Sequence, residues 1–537
     1  MYSWRKGSSA LKGKVLSRLI GLACSIAFIL FGYEQGVMGG VITGTAFTAQ
    51  FPSINTTTAK GNTQLQGFTL GAYNIGSWLG ALLTAVIGER LGRKGSVVVG
   101  CSIIAIGTAL QCSSFQLAQL IVGRLVTGLG NGLITSSIPV WHAELSKAIN
   151  RGRLITVEIS TNVVSTSSLP DCQSVRLAKH IDKKGGVMVA YWVDYGMSHV
   201  NSGAQWRFPI SLQIFFALST IALITFLPES PRWLLYHDRQ DEAAEILIRL
   251  HSDEDAGTAG REMQEIIVAI KEEKQAAHGH GGLRAMFRNG EQKFFYRTCL
   301  SVWIMIMQQL TGINLVTYYA PYIFIKSVGF SQQLSTLMSG FATTFYYFST
   351  WVPIAIIDRV GRRPLLLGGV LSMAICMFIL AGTTSVNHFA TGIVSTVVLF
   401  VYLASFGIGW IPGPWLIASE YAPLATRSQT AAFATSATWI FSYLIAEITP
   451  ISITNIGYKS YIIFGLLNTA FIPIIYFLYP ETKGKTLEQI DLLFSGGKVL
   501  IHLTPEEAQE MEDSHIERVI GGKLGLESAT LHQAENV

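Results

Sequence analysis

The chain reads Gly-Glu-Arg-Leu-Gly-Arg-Lys at residues 88–94 and Ile-Asp-Arg-Val-Gly-Arg-Arg at residues 357–363. The same order of acid, base and glycine thus occurs twice, each time between apolar stretches. Two other patterns are repeated in the same order, namely a glutamate seven residues before an arginine and Pro-Glu followed by a hydroxyl residue. These repeats are Glu144/Arg151 with Glu420/Arg427, and residues 228–230 with residues 480–482. Such duplication in an apolar chain indicates two matched halves, an arrangement that many transporters use.

The composition favours a protein embedded in lipid. Of the 537 residues, 50% are hydrophobic and 14% are charged, whereas soluble proteins carry about 25% charged residues. Twelve apolar stretches have close to the length of about 20 residues that crosses a hydrocarbon core, where helices satisfy every backbone group. They lie near 17–41, 67–88, 96–113, 117–141, 154–200 and 207–227, and then near 297–323, 334–357, 364–384, 390–418, 427–452 and 459–479.

These predicted spans divide the chain into four parts. Six spans fall in residues 1–227 and six in residues 296–480. Between them, residues 228–295 carry apolar side chains at helical spacing, which predicts amphipathic cytosolic helices. Residues 481–537 form a polar cytosolic tail. The fold class is therefore predicted to be all-α, a polytopic membrane protein with twelve transmembrane helices in two pseudo-symmetric six-helix bundles.

Lys and Arg are concentrated on one side of the predicted spans. They precede the first span and follow the second, fourth, sixth and eighth, whereas the opposite loops are nearly bare. The positive-inside rule places both termini and the 228–295 linker in the cytosol. We expect the protein to lie in the plasma membrane. On the opposite side, Asn55-Thr56-Thr57 is a sequon that predicts glycosylation at Asn55.

The fifth span is interrupted by a polar segment at residues 165–185. A charge at the bilayer centre costs at least about 2.5 kcal/mol. The interval from Glu144 to Glu229 is 85 residues, whereas the matching interval from Glu420 to Glu481 is 61, and removal of the segment shortens the first to 64. We interpret residues 165–185 as a retained intron that was translated in frame. The alternative is a real polar loop that splits the span.

A carboxylate lies within the first span. Glu34 is an ionisable group at membrane depth, which marks a functional candidate. Its predicted partner is Arg124 in span four, where surrounding glycines let helices approach closely. A buried carboxylate beside a guanidinium can change state when it takes up a proton, and this predicts proton coupling. The alternative is a static ion pair that joins two helices.

Three carboxamides lie together in span seven, namely Gln308, Gln309 and Asn314. Because such groups are costly in lipid unless they face a polar cavity, we predict that they converge on one ligand. Amides both donate and accept hydrogen bonds, as sugar hydroxyls require. The predicted substrate site is completed by three aromatic residues: Trp415 beside the proline break of span ten, Tyr318 and Phe31. The alternative is hydrogen bonding and packing between helices.

Charged residues at the cytosolic ends of the spans are predicted to form a gate. Salt bridges there are individually weak, but a network of them can bias a two-state equilibrium by about a few kcal/mol. The predicted members are Glu89, Arg90, Arg93, Glu144, Arg151, Glu229, Arg232, Asp358, Arg359, Arg362, Glu420 and Arg427.

In combination, these motifs resemble those of the sugar porter family within the major facilitator superfamily, and its fungal hexose and polyol members above all. The resemblance covers about residues 15–495 apart from 165–185, and it includes the Pro-Glu-Ser-Pro-Arg stretch that ends at Arg232. It implies alternating access about a central sugar site. It also assigns the sugar to Gln308, Gln309, Asn314 and Trp415, and proton coupling to Glu34 and Arg124.

The chain departs from the family's pattern at several positions. Family members often have Asp where Glu34 stands, and many have Gln at the position that matches Ile159 of this chain. Amides that other members carry in span eleven are replaced near Thr438 and Ser442. The loss of amides leaves the substrate open among hexoses, pentoses and polyols.

The leading prediction is a proton-coupled symporter of a monosaccharide or polyol. A facilitative uniporter and a non-transporting sugar sensor remain as alternatives, although such sensors generally carry a much longer cytosolic tail. We expect no enzyme activity, cofactor or metal, because the sequence shows no nucleotide loop, metal-ligand spacing or activated nucleophile. The expected partners are the substrate, protons and the lipid bilayer. We expect no binding of nucleic acid. We expect the monomer to be functional, and the sequence does not set the oligomeric state.

Overall fold

The computed structural model describes residues 11–56, 61–145, 172–253, 257–279, 287, 293–386, 388–422, 426–483, 490 and 494. Throughout these ranges the regular structure is helical and no strand is present. The predicted all-α fold class is therefore confirmed.

The first half of the chain forms helices α1 (Gly13–Val41), α2 (Thr45–Gln50), α3 (Thr63–Cys112), α4 (Leu117–Leu145), α5 (Cys172–Met197) and α6 (Ala204–Phe226). A 3₁₀ turn at Pro52–Ile54 follows α2. Helix α3 holds two predicted spans, which meet at Gly92, where φ is +80°. Because this backbone conformation is strained for any residue with a Cβ, glycine is required at the junction.

The linker between the halves forms α7 (Pro231–Tyr236), α8 (Gln240–Leu250) and α9 (Thr258–Gly279). Ser230 caps α7, since its hydroxyl accepts the backbone N–H of Trp233 at 3.1 Å. Helix α8 buries one apolar face, including Ala243, Ile246 and Leu250, in the core of the first half. The linker is thus packed on the first bundle.

The second half forms α10 (Phe294–Leu310), α11 (Ile313–Ile323), α12 (Gln332–Ser349), α13 (Val352–Val360), α14 (Arg362–Ser385), α15 (Phe389–Ser405), α16 (Pro412–Tyr421), α17 (Arg427–Ile456) and α18 (Lys459–Leu478). Two π-helical turns interrupt this series, at Phe324–Val328 and Phe406–Trp410.

The exterior of the helix bundle is apolar. Within the described residues, nine helical segments are long and apolar enough to cross a membrane. The described residues of the other three predicted spans are also largely helical, and they lie in the first part of α3, in α5, and in α12 with α13. Val86 (73% exposed) and Phe477 (63%) lie on the surface, whereas Glu34 and Arg124 are buried. Such an inverted distribution belongs to a multi-pass integral membrane protein.

Glycines bring α3 and α4 into close contact. A Cβ on Gly76 would lie 2.2 Å from the carbonyl oxygen of Leu125, and a Cβ on Gly128 would lie 2.1 Å from that of Tyr73. Any larger residue at either position would push the helices apart. This contact holds two helices of the first half together as one body.

The two ends of the bundle differ in charge. We call the end that carries Arg93 and Arg363 the basic end, and the opposite end, at residues 42–56, 61–62 and 198–203, the distal end. Near the distal end the halves touch, because the Tyr191 hydroxyl in α5 donates to the carbonyl oxygen of Thr317 in α11 at 2.6 Å. The bundle is thus closed at this end.

Helix α5 contains part of the segment that the sequence sets apart. Residues 172–185 are continuous with residues 186–197 in one helix. Residues 172–185 are therefore helical and do not form the polar loop that was the alternative interpretation. Residues 165–171 lie outside the described residues.

Candidate functional site

A break in the seventh predicted span positions the carboxamides. Helix α10 ends at Leu310, Gly312 has a φ of +94°, and α11 begins at Ile313. A Cβ on Gly312 would also lie 3.1 Å from the ring of Phe464. Both the conformation and the space therefore require glycine. The sequence predicts one continuous span here, and the break instead places Asn314 back towards Gln309.

The three carboxamides form one hydrogen-bonded chain inside the second half. Gln309 donates to the Oε1 of Gln308 at 3.2 Å, and Asn314 donates to the Oε1 of Gln309 at 2.8 Å. Gln308 donates to the carbonyl oxygen of Trp410 at 2.6 Å. All three side chains are buried, with exposed fractions of 5% to 8%. Their amides thus face the protein interior and are directed away from lipid.

A hydroxyl from α17 joins this chain. Ser442 donates to the Oε1 of Gln309 at 2.9 Å. Ser442 lies in the region of span eleven where other family members carry an amide and this chain does not. Because a hydroxyl also donates and accepts, the site keeps polar function with a shorter side chain.

Aromatic residues connect the two halves beside the amides. Trp439 in α17 lies 5.7 Å from Phe31 in α1 and 6.2 Å from Tyr73 in α3, measured between ring centroids. The Tyr318 hydroxyl in α11 donates to the Oδ1 of Asn74 in α3 at 3.4 Å. The sequence predicts Phe31 and Tyr318 at this place. The structure adds three residues that sequence reasoning missed, namely Tyr73, Asn74 and Trp439.

The break in span ten lies where the prolines predict one. Helix α15 ends at Ser405, and α16 begins at Pro412 after the π turn. Trp410 is fully buried and donates from its indole nitrogen to the carbonyl oxygen of Leu366 at 3.0 Å, so it holds the break in place. Trp415 is half-buried and packs against the core of the second half.

Glu34 and Arg124 are both buried in the first half, with exposed fractions of 3% and 5%. The predicted direct ion pair is not formed. The Arg124 guanidinium instead donates to the backbone carbonyl oxygens of Thr69 and Leu70, both at 2.8 Å, and these oxygens satisfy it in apolar surroundings. Among the described residues, neither carboxylate oxygen of Glu34 has a hydrogen-bond partner, although Tyr73 and Arg124 are close by.

Glu229 closes the junction of the two spans in α3. One of its carboxylate oxygens accepts the backbone N–H groups of Arg93 at 3.1 Å and of Lys94 at 3.0 Å. A Cβ on Gly92 would lie 2.4 Å from the other oxygen. The carboxylate thus caps the helix that starts here and interacts with its positive dipole end. Arg93 also reaches Glu144 at 3.4 Å.

Glu481 occupies the matching place in the second half. It accepts the backbone N–H groups of Arg362 at 3.0 Å and Arg363 at 2.9 Å, next to Gly361, whose φ is +102°. Arg362 approaches Glu420 at 3.6 Å. The repeated motifs therefore build the same structure twice, and each of these contacts lies within one half or joins it to the segment that directly follows it.

The other predicted gate residues differ in exposure, or lie outside the described residues. Arg90 and Arg359 are exposed, and Arg232 is half-buried. Asn55 is half-buried after the 3₁₀ turn at the distal end. The side chains of Glu89, Asp358 and Arg427, and the whole of Arg151 and Ile159, lie outside the described residues.

The chain is similar to known transporters over most of its length. The sequence model of the family described as "Sugar (and other) transporter" matches residues 20–164 and 183–494. Sugar transporter STL1 of Saccharomyces cerevisiae is 35% identical over 521 residues, which cover 94% of this chain and 87% of the relative.

Solved structures share the fold. The xylose transporter XylE of E. coli, in an inward-open conformation, is 26% identical with a TM-score of 0.70. The match covers 88% of this chain and 99% of that one. A D-xylose-proton symporter is 25% identical with a TM-score of 0.66, and the match covers 87% of this chain and 99% of that one.

These similarities and the duplicated architecture agree. They confirm the twelve-helix fold of the major facilitator superfamily, and because the family is one of transporters, they also confirm that the chain is not an enzyme. The chain belongs to the sugar porter family of the major facilitator superfamily.

Proposed function

We propose that this protein moves a monosaccharide or polyol together with protons across the plasma membrane by alternating access. The observation that carries the proposal is the buried amide chain of Gln308, Gln309 and Asn314, which lies beside a contact between the two halves. Rocking of one half against the other would open this site to each side of the membrane in turn.

The chemistry of the site supports a polyhydroxyl substrate. The amides and Ser442 offer both donors and acceptors, and Trp439, Tyr73 and Phe31 provide apolar ring faces beside them. Sugars and polyols combine hydroxyl edges with C–H faces, and both features would be matched here. The names of STL1 and XylE are consistent with such a substrate.

Glu34 supports the coupling to protons. A carboxylate that is buried without a hydrogen-bond partner is costly when ionised, and Arg124 lies near enough to stabilise that charge. Protonation of Glu34 therefore changes the balance of charge between the two residues. In the proposed cycle, the proton binds with the substrate from outside, and both leave inside.

The orientation follows from the charges. The basic end would face the cytosol together with both termini and α7 to α9, and the distal end would face outside with Asn55. In this orientation the closed distal end belongs to a conformation that does not admit substrate from outside.

We also propose that residues 165–185 are absent from the functional transporter. The family's sequence model passes over residues 165–182, which is close to the segment that the spacing of the repeated glutamates sets apart. With the segment present, helix α5 contains basic residues such as Lys179, Lys183 and Lys184 in the place of apolar ones.

The test is transport in cells that lack their own hexose uptake. The chain with and without residues 165–185 would be expressed there, and uptake of labelled hexoses, pentoses and polyols would be measured with and without a protonophore. We expect the shorter chain to accumulate at least one such compound above its external concentration, and the protonophore to abolish this accumulation. We also expect the medium to become more alkaline when substrate is added. Uptake without alkalinisation would favour a uniporter, and no uptake of any of them would favour a sensor.

A further inference from the structure

A second buried carboxylate lies in the first half and is used by none of the roles above. Asp194 in α5 is 5% exposed, and within the described part of the chain neither of its carboxylate oxygens has a hydrogen-bond partner. It lies against Gly40 of α1 so closely that a Cβ on Gly40 would be 2.3 Å from its Oδ2. Glycine at position 40 thus makes room for the acid.

Asp194 and Glu34 are separate sites. Gly40 follows Glu34 by six residues in α1, a rise of about 9 Å along the helix axis. Asp194 therefore lies nearer to the distal end than Glu34 does.

The neighbouring groups do not neutralise Asp194. The hydroxyls of Tyr33 and Tyr191 are close to it, but they donate elsewhere, to the carbonyl oxygens of Pro209 at 2.8 Å and Thr317 at 2.6 Å. Among the described residues near this end, the Tyr318 hydroxyl on α11 donates to Asn74, and the Tyr195 ring on α5 packs against Trp192 and His199. Three further titratable side chains described here are Cys112 on α3, His199 beyond α5 and Arg207 on α6.

Each of these three has another contact. Cys112 lies 3.5 Å from the carbonyl oxygen of Arg207, and His199 lies 3.1 Å from that of Tyr195. The Arg207 guanidinium is placed over the rings of Phe115 and Trp206 at 4.8 and 4.9 Å. An ionised Asp194 would thus be enclosed without a cation, with only the backbone of Gly40 beside it to favour the charge, which is strongly unfavourable at membrane depth.

The surroundings of Asp194 depend on closure of the distal end. Tyr191, three residues earlier in α5, makes the hydrogen bond to Thr317 that joins the two halves. A Cβ on Gly39, the neighbour of Gly40, would lie 3.0 Å from the carbonyl oxygen of Tyr318. Helix α11 therefore covers this part of α1 and α5. Movement of α11 away from α1 and α5 would therefore open a route for water to Asp194.

We propose that Asp194 is a second proton-binding site of the transporter, whose proton is held while the distal end is closed and is released to the outer solution when that end opens. The inference goes beyond proton coupling at Glu34 and rests on the proposed orientation. Since the closed state binds one more proton, acid outside favours closure and alkali favours opening. One linked proton shifts this equilibrium by at most about tenfold per pH unit.

The test is labelling of the distal contact. Thr317→Cys, in the chain without residues 165–185 and with its other cysteines replaced by alanine, would be treated on intact cells with a membrane-impermeant maleimide from pH 5.5 to 8. The labelling rate would be divided by that of the same chain carrying Asp194→Asn, so that the pH dependence of the maleimide reaction itself cancels. We expect a ratio near one at acid pH that rises several-fold towards pH 8. A ratio that stays at one over the whole range would overturn the proposal.

Two further variants complete the design. Asp194→Ser, which is smaller and also neutral, replaces Asp194→Asn if that variant does not reach the cell surface, and the same rise in the ratio is expected. In a Glu34→Gln background the ratio should still rise, because the effect belongs to Asp194. Loss of the rise in that background would assign it to Glu34 and contradict the proposal. The measurement needs no substrate, so it succeeds or fails independently of the proposed sugar.

Discussion

Trp439 of the second half packs against Phe31 of the first half, with ring centroids 5.7 Å apart and ring planes inclined by 60°. This contact lies next to the amide chain, since Ser442, three residues after Trp439, donates to Gln309. Aromatic groups from both halves therefore meet beside the amides of the second half. Such a shared site is what alternating access requires, because relative movement of the halves changes which side can reach it.

Replacement of Trp439 by alanine is expected to weaken substrate binding. Loss of one aromatic contact of about 0.5–1.5 kcal/mol corresponds to a rise in KM of up to about tenfold. Trp439→Phe should retain most of the affinity because it keeps a ring. The measurement is the concentration dependence of uptake, with Trp303→Ala as the control, since Trp303 is 40% exposed on the outside of α10. An equal effect of the two alanine variants would contradict the assignment.

Replacement of Gln309 by alanine is expected to have a larger effect on binding than on folding. It removes the acceptor of both Asn314 and Ser442, and each lost hydrogen bond is worth about 0.5–1.5 kcal/mol. We expect KM to rise by about tenfold or more while surface expression is kept. The matched control is Gln333→Ala, because Gln333 is exposed at the start of α12. Unchanged KM in the Gln309 variant would remove this residue from the substrate site.

The glycines of the repeated motifs should be required for stability. Gly92→Ala and Gly361→Ala each place a Cβ within 2.6 Å of a capping carboxylate, at a φ that glycine alone adopts easily. We expect each to lower the free energy of unfolding by about 1–3 kcal/mol. Thermal unfolding of the purified protein tests this against Gly368→Ala, where a Cβ meets nothing within 4 Å. Equal unfolding temperatures for all three variants would argue against the capping role of Glu229 and Glu481.

The segment at residues 165–185 leads to a prediction about the message. Transcript sequencing across this region should find a mature message that lacks these 21 codons, and the protein without them should be the form that transports. A mature message that encodes the segment, together with transport by the longer chain, would show that the segment is a genuine part of the protein.

Much of the fold could be predicted from the sequence because the decisive signals are periodic or repeated. Apolar stretches of membrane length predict the helices, and the motifs at 88–94 and 357–363 predict the duplication. The structure adds the reason for the repetition, which is a carboxylate capping a helix at Gly92 and again at Gly361.

The site could be predicted only where polarity stands out from an apolar background. Gln308, Gln309 and Asn314 are conspicuous in a membrane span, and the structure brings them together. Trp439 gave no such signal, because a tryptophan in a span is equally expected in packing. Its role depends on contacts with α1 and α3, which the order of residues in α17 does not reveal.

Two features of the charged groups also depended on three-dimensional structure. Arg124 binds the carbonyl oxygens of Thr69 and Leu70, and spacing along the sequence cannot choose between these and a carboxylate. Asp194 did carry a signal, since it is an acid within an apolar run. That signal was obscured by the many charges of residues 165–185 in the same predicted span.

The most direct test of the central claim is transport by Glu34→Gln. In cells that maintain a proton gradient, this variant should fail to accumulate substrate above its external concentration, because the side chain can no longer bind or release the coupling proton. Exchange of labelled for unlabelled substrate should survive, since the amide site and both halves are intact. Concentrative uptake by the variant, with the gradient shown to be present, would contradict coupling through Glu34.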